Sequence, residues 1–217
     1  MSELLTKELT VRQKEILKSK DLPQQWDELD MSIQESIESI EEMLQFLEQK
    51  YGKTFVYAGY KKENRTYHDE ESLLAYAVGD DPETQKCLVN RTKDGLEDTY
   101  GWVLAFPVFR KKMQDKVSDL LIDNNYKLFT KLLGVSNDGT VKASTVVVVI
   151  EAAYDEASKA LFDKVASRLS NEEGVYKVLM YCVAPGTTES MAQHNYEQIM
   201  NSDNTLGRYS ALASASK

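Results

Sequence analysis

Two stretches decide the fold: Tyr126–Val135, reading YKLFTKLLGV, and Lys142–Ala152, reading KASTVVVVIEA. Both read as strands, and Asn137-Asp138-Gly139 between them is a hairpin signal. The run Val146–Ile150 is apolar without alternation, as a buried strand reads. Outward from it, Asp155 stands where a helix cap is expected. Ala157, Leu161, Phe162 and Val165 then form the inward stripe. Val175–Val183 reads as the next strand, and Pro185-Gly186 breaks it. Thr187 or Thr188 can cap a final helix containing Ala192, Tyr196 and Ile199. From Asn201 the chain is rich in Ser, Asn and Ala and is expected to fray. A hairpin followed by strand, helix and strand implies a mixed sheet with helices packed on it, in the α+β or α/β class.

Toward the N-terminus, Pro107 suits the first position of a helix whose buried stripe is Phe109, Met113, Val117 and Leu120. Thr54–Lys61 reads as a strand with Phe55 and Tyr57 on one face and Val56 and Ala58 on the other. Gln85–Thr92 is a second strand, and Leu73–Val78 is apolar without a decisive period. Asp98 either lines a groove or acts as a cap. Ser32 and Glu35 have capping-box spacing, and Ile33, Ile37, Ile40, Leu44 and Leu47 repeat as one helical stripe. Gly52 suits the residue that ends this helix. Thr10 can cap a shorter helix over Val11–Lys18. The expected organisation is a helical region over 1–53, a sheet domain over 54–200 with a possible boundary near 94–107, and a frayed tail over 201–217.

The 217 residues carry 26 Lys and Arg against 35 Asp and Glu, a formal charge of -9. A phosphate backbone is bound by neutralising it, so this balance argues against nucleic acid as a partner. It argues equally against an anionic membrane surface. No apolar run approaches the roughly 20 residues that cross a bilayer, and no secretory signal is seen, so a cytoplasmic location is expected. The two cysteines, Cys87 and Cys182, then read as reduced core thiols. Asn64-Arg65-Thr66 and Asn90-Arg91-Thr92 match the glycosylation sequon, by chance in that compartment.

No phosphate loop, dinucleotide fingerprint or G-x-S-x-G elbow is present. The two histidines, His68 and His194, have no second ligand at metal spacing, so neither metal nor cofactor is expected. His68 adjoins Asp69-Glu70-Glu71, which reads as a solvated loop. The best enzymatic alternative is Cys182 near a strand end, with Thr187 at a helix start and His194 as base. It lacks the arginine a cysteine phosphatase loop requires, since position 188 is Thr.

Between Asp27 and Lys50 stand eight acids and one base. Glu35, Glu38, Glu41 and Glu42 fall on the helix face opposite the apolar stripe, a candidate docking surface for a basic protein. Tyr57, Tyr60 and Tyr67 come next, in the most aromatic part of the chain, and rigid rings suit interfaces.

The stretch Leu9-Thr10-Val11-Arg12-Gln13-Lys14-Glu15-Ile16-Leu17, with Leu22-Pro23, Ile40-Glu41-Glu42-Met43-Leu44 and Leu47–Phe55, then Tyr57-Ala58-Gly59-Tyr60, resembles a group of proteins of Gram-positive bacteria. They look like accessory or immunity proteins of mobile elements and secreted toxin systems. The resemblance covers about a quarter of the chain, holds no catalytic motif and assigns no residue a role. It implies an origin in such bacteria more than a function. With the acidic helix and the aromatic segment as contact surface, the expected function is a protein-binding module, an immunity or inhibitor protein that covers the active site of a toxin. A scaffold component assembling with itself through the aromatic segment is the other non-enzymatic reading. The sequence sets no oligomeric state.

Overall fold

The computed structural model describes residues 7–64, 70–136, 138–200 and 203–213. The fold is α+β, and the chain divides between Tyr100 and Gly101 into two compact units, each with a four-stranded sheet.

The first unit begins with α1, Val11–Lys18. Thr10 caps it through a reciprocal pair of bonds with Gln13. A turn of 3-10 helix, Trp26–Glu28, leads to α2, Met31–Tyr51. Asp30, rather than Ser32, caps α2: its carboxylate accepts from the Ile33 N–H at 3.0 Å. The helix starts one residue after Asp30, so Ser32 already lies inside the first turn, where its carbonyl accepts from Ser36 Oγ. Ile37, Ile40, Met43, Leu44 and Leu47 are buried. Burial of each such side chain stabilises by about 1.5–3 kcal/mol. Gly52 ends α2 at φ 64°, a conformation costly for a residue with a Cβ.

Strands β1 (Phe55–Lys61), β2 (Ser72–Ala77), β3 (Cys87–Thr92) and β4 (Gly95–Asp98) form an antiparallel meander in that spatial order. A bulge at Ala58 breaks the expected alternation of β1. Tyr60 therefore pairs with Leu73, and lies on the same face as Phe55 and Tyr57, which pair with Ala77 and Ala75. That face packs beneath α2. At the far end of α2, Asp98 accepts from Lys50 Nζ at 2.7 Å, Tyr51 Oη at 2.8 Å and the Tyr100 N–H at 2.9 Å.

Helix α3, Tyr100–Val117, starts at the last residue of the first unit, otherwise belongs to the second, and holds Pro107 in its interior. The expected start at Pro107 is corrected. Asp98 holds the N–H of Tyr100, and the apolar run Gly101–Phe106 is helical. Strands β5 (Tyr126–Val135) and β6 (Val141–Glu151) form the hairpin. Its turn is held by Asp138, which accepts from Ser136 Oγ and the Thr140 N–H; Asn137 lies outside the described residues. Asp155 caps α4, Glu156–Leu169, which returns the chain to β7, Lys177–Val183, parallel to β6. The final helix differs from expectation. A 3-10 turn, Thr187–Ser190, is followed by the short α5, Tyr196–Met200, which excludes Ala192. The Thr188 hydroxyl donates to Glu151 instead of capping a helix.

The tail is not frayed between Thr205 and Leu212. These residues form β8, antiparallel to β7, and complete the order β5-β6-β7-β8. Alternation explains it: Gly207, Tyr209 and Ala211 turn inward while Leu206, Arg208 and Ser210 face out. Tyr209 Oη bonds Ser158 Oγ and donates to Asp155 O, both at 2.9 Å, tying β8 to the start of α4. Side chains from α3, α4 and one sheet face form the larger core. Phe129, Val147, Val149 and Val183 on the other face are covered by Met191 and Tyr196. Val146–Ile150 is thus buried on both sides, which is why its sequence does not alternate.

Candidate functional site

Unit one carries the charge of the molecule. Residues 1–100 hold 22 acids and 13 bases, and residues 101–217 hold 13 of each. The surplus of nine acids therefore belongs wholly to the first unit. An open groove of about 610 Å³ lies along its two helices. Glu35, Glu38, Glu41 and Glu42 all line it, together with Glu8 and Arg91.

These glutamates differ in how firmly they are held. Glu38 pairs with Lys7, and Glu35 with Lys62 at 2.8 Å, through side chains that are 44–59% exposed. Glu41 is bound by Arg12, which also reaches Glu48 at 2.6 Å. The Glu41 side chain is 14% exposed. The bond to Glu41, helped by the one to Glu48, raises the Arg12 pKa against the cost of burial. Arg91 bonds Glu42 at 2.6 Å, Ser39 Oγ at 3.0 Å and Glu71 at 2.5 Å, drawing β3, α2 and the start of β2 together. Burial pulls the Glu71 carboxyl upward. Bonds from Ser39, Tyr60 and Arg91 outweigh that and hold it below the ordinary range.

The aromatic residues do not join the glutamates. Tyr60 donates to Glu71, and burial followed by that bond pushes its hydroxyl up to about 12. It is a strut between β1 and β2. Tyr57 lines a different groove, between α1 and β1, beneath Lys20. Tyr67 and His68 lie outside the described residues. Arg12, Glu71 and Arg91 are site residues that the sequence reading misses. A period of two puts Arg91 on the face of Cys87 and Val89, an inward position for a charge, and that is the signal the sequence offers.

The enzymatic arrangement does not assemble. Cys182 is fully buried in the core beneath α3 and α4, and burial raises its thiol pKa. His194 is exposed, on the segment that covers the opposite face of the sheet. Thr187 is buried, and Thr188 is spent on Glu151. Burial likewise pushes the Cys87 thiol up to about 12. Among the described residues no three His, Cys, Asp or Glu side chains gather as a metal ion requires, and no helix is long and apolar enough to cross a membrane.

No protein-family model and no curated protein matches this chain. Among solved structures, it is similar to a DUF5037 family protein from Ruminococcus gnavus, with a TM-score of 0.36 and 13% identity, over 74% of this chain and 78% of that one.

Proposed function

We propose that this protein is a protein-binding module of the immunity or inhibitor kind, whose first unit covers a basic partner such as a toxin. The observation that carries the reading is the confinement of all nine surplus acids to that unit, with Glu35, Glu38 and Glu42 on an open groove. Exposed ion pairs contribute about 0–1 kcal/mol, so Lys7 and Lys62 give way cheaply to a partner's Lys or Arg. Glu41 is held too firmly by Arg12 to take part. An acidic surface of this kind speeds encounter with a basic protein, and salt screens the gain. A cytoplasmic location goes with this reading, and the two free, buried cysteines support it.

The test is the association rate with a captured partner for Glu35→Lys, Glu38→Lys and Glu42→Lys combined. A rate reduced about tenfold or more at low salt, with the fold intact, supports the reading. A rate equal to wild type removes the acidic groove from binding.

A further inference from the structure

Lys7 stands over the ring of Trp26, with Nζ 4.2 Å from the ring centre, and donates to the Glu38 carboxylate. The other cation–ring contacts among the described residues run from 5.2 to 5.9 Å. Trp is the ring that attracts a cation most strongly. A Trp face and a carboxylate meeting at one ammonium form a cradle for a lysine side chain.

The cradle is held by residues other than the lysine. Gln34 Nε2 on α2 donates to Trp26 O at 2.9 Å and to Leu29 O at 3.2 Å, fixing the connector that carries the ring against the helix. Glu38 lies one turn beyond Gln34 on the same helix. Lys7 and Glu38 both line the open acidic groove. Their side chains are 47% and 50% exposed, so a second cation can reach the same carboxylate. Lys50 shows the contrast. It stands 5.2 Å from the centre of the Tyr51 ring, yet the side chain of its carboxylate partner, Asp98, is 0% exposed and closed to an outside cation. Lys7 is anchored to the fold through the buried Leu9, two residues on. Its flexible four-carbon stem can leave the cradle while Leu9 stays in place.

We propose that Trp26 and Glu38 form the lysine subsite of the acidic groove, and that Lys7 is its built-in competitor, displaced by a lysine side chain of the basic partner. The proposal rests on the function given above. A site filled part of the time by its own side chain binds an outside ligand more weakly, in proportion to the fraction of time it stands open. Lys7 thereby sets a threshold on what the groove takes up.

The probe is fluorescein-labelled octalysine, titrated with the full chain by anisotropy in about 0.1 M salt, where charges beyond about 10 Å are screened. Lys7→Ala should bind it about fivefold more tightly than wild type. Lys14→Ala removes the same charge at an exposed position outside the groove lining, and should gain less than about twofold. Trp26→Leu in the Lys7→Ala protein should remove the gain, with circular dichroism checking the fold. The Trp26 indole N–H, assigned with the help of Trp102→Phe, gives a readout with the ring in place. Its signal in a proton–nitrogen correlation spectrum should move in Lys7→Ala, and octalysine should return it toward the wild-type position. No saturation of Lys7→Ala below about 1 mM, affinity equal to wild type, an equal gain from Lys14→Ala, or a Trp26 signal that octalysine leaves unmoved would each overturn the proposal. The combined Glu35→Lys, Glu38→Lys, Glu42→Lys variant separates this from the reading it rests on. If that variant binds octalysine as wild type does, the acidic groove itself fails. If it loses binding while Lys7→Ala gains nothing, the groove stands and the lysine subsite falls.

Discussion

Arg12 Nη1 on α1 lies 2.6 Å from Glu48 Oε1 on α2, and the same guanidinium holds Glu41. The Glu48 carboxylate in turn accepts from the backbone of Phe55, the first residue of β1. One arginine therefore joins both helices to the sheet edge.

Removing that arginine strands two partly buried carboxylates. Arg12→Ala should cost the first unit about 1.5–3 kcal/mol in urea unfolding, because charged hydrogen bonds are lost and their acceptors stay in place. Glu38→Gln, at an exposed pair, should stay within about 0.5 kcal/mol of wild type. Equal effects would mean the two glutamates are not held differently.

Glu151 at the end of β6 makes a second prediction. It accepts from the Thr188 N–H at 2.9 Å and the Thr188 hydroxyl at 2.7 Å, and Asn125 adds a further bond. The Thr188 hydroxyl, then the N–H groups of Thr188 and Gly186, lower its carboxyl to about 2. A depressed pKa stabilises above the unfolded value, about 4.3, and that stability is lost as pH falls toward 2. Urea midpoints of Glu151→Gln should therefore fall less steeply than wild type between those pH values. Parallel acid limbs would contradict the bonding.

Tyr154 packs on the bare backbone of Gly207, where an added Cβ would come within 2.3 Å of its ring. Tyr154 also packs at a tilt of 31° against Tyr209, with ring centres 4.7 Å apart. Gly207→Ala should displace the ring and cost about 1–3 kcal/mol. In a Tyr154→Ala background the same change should cost nearly nothing. A double-mutant cycle with no coupling between the two would refute the contact.

Both thiols are buried, with pKa values raised by burial. A thiol reagent should leave the native protein unlabelled and react with two groups only after unfolding. Fast labelling of Cys182 in the native state would restore it as a candidate nucleophile.

The features legible in the sequence are those a period expresses. The stripe of α2, the hairpin around Asp138 and the doubly buried Val146–Ile150 run all show through because burial repeats at a fixed spacing. The tail reads wrongly because the composition around β8 looks like a loop, while its strand depends on pairing with β7 and on the Tyr209 bonds to Asp155 and Ser158. The start of α3 reads wrongly because Pro107 marks a helix start only as a preference, and the bond from Tyr100 to Asp98 sets an earlier one. In the candidate site the glutamates are visible as a charged face. Their partners Lys7, Arg12, Lys62 and Arg91 come from elsewhere in the chain, and no local spacing announces them.

The most direct measurement is a comparative pull-down from native lysate. Wild-type protein and the combined Glu35→Lys, Glu38→Lys, Glu42→Lys variant are used at low and high salt. The account predicts one basic partner captured by wild type at low salt, lost at high salt and absent with the variant. Capture of the same partner by the variant, at either salt, would contradict the acidic groove as the binding surface.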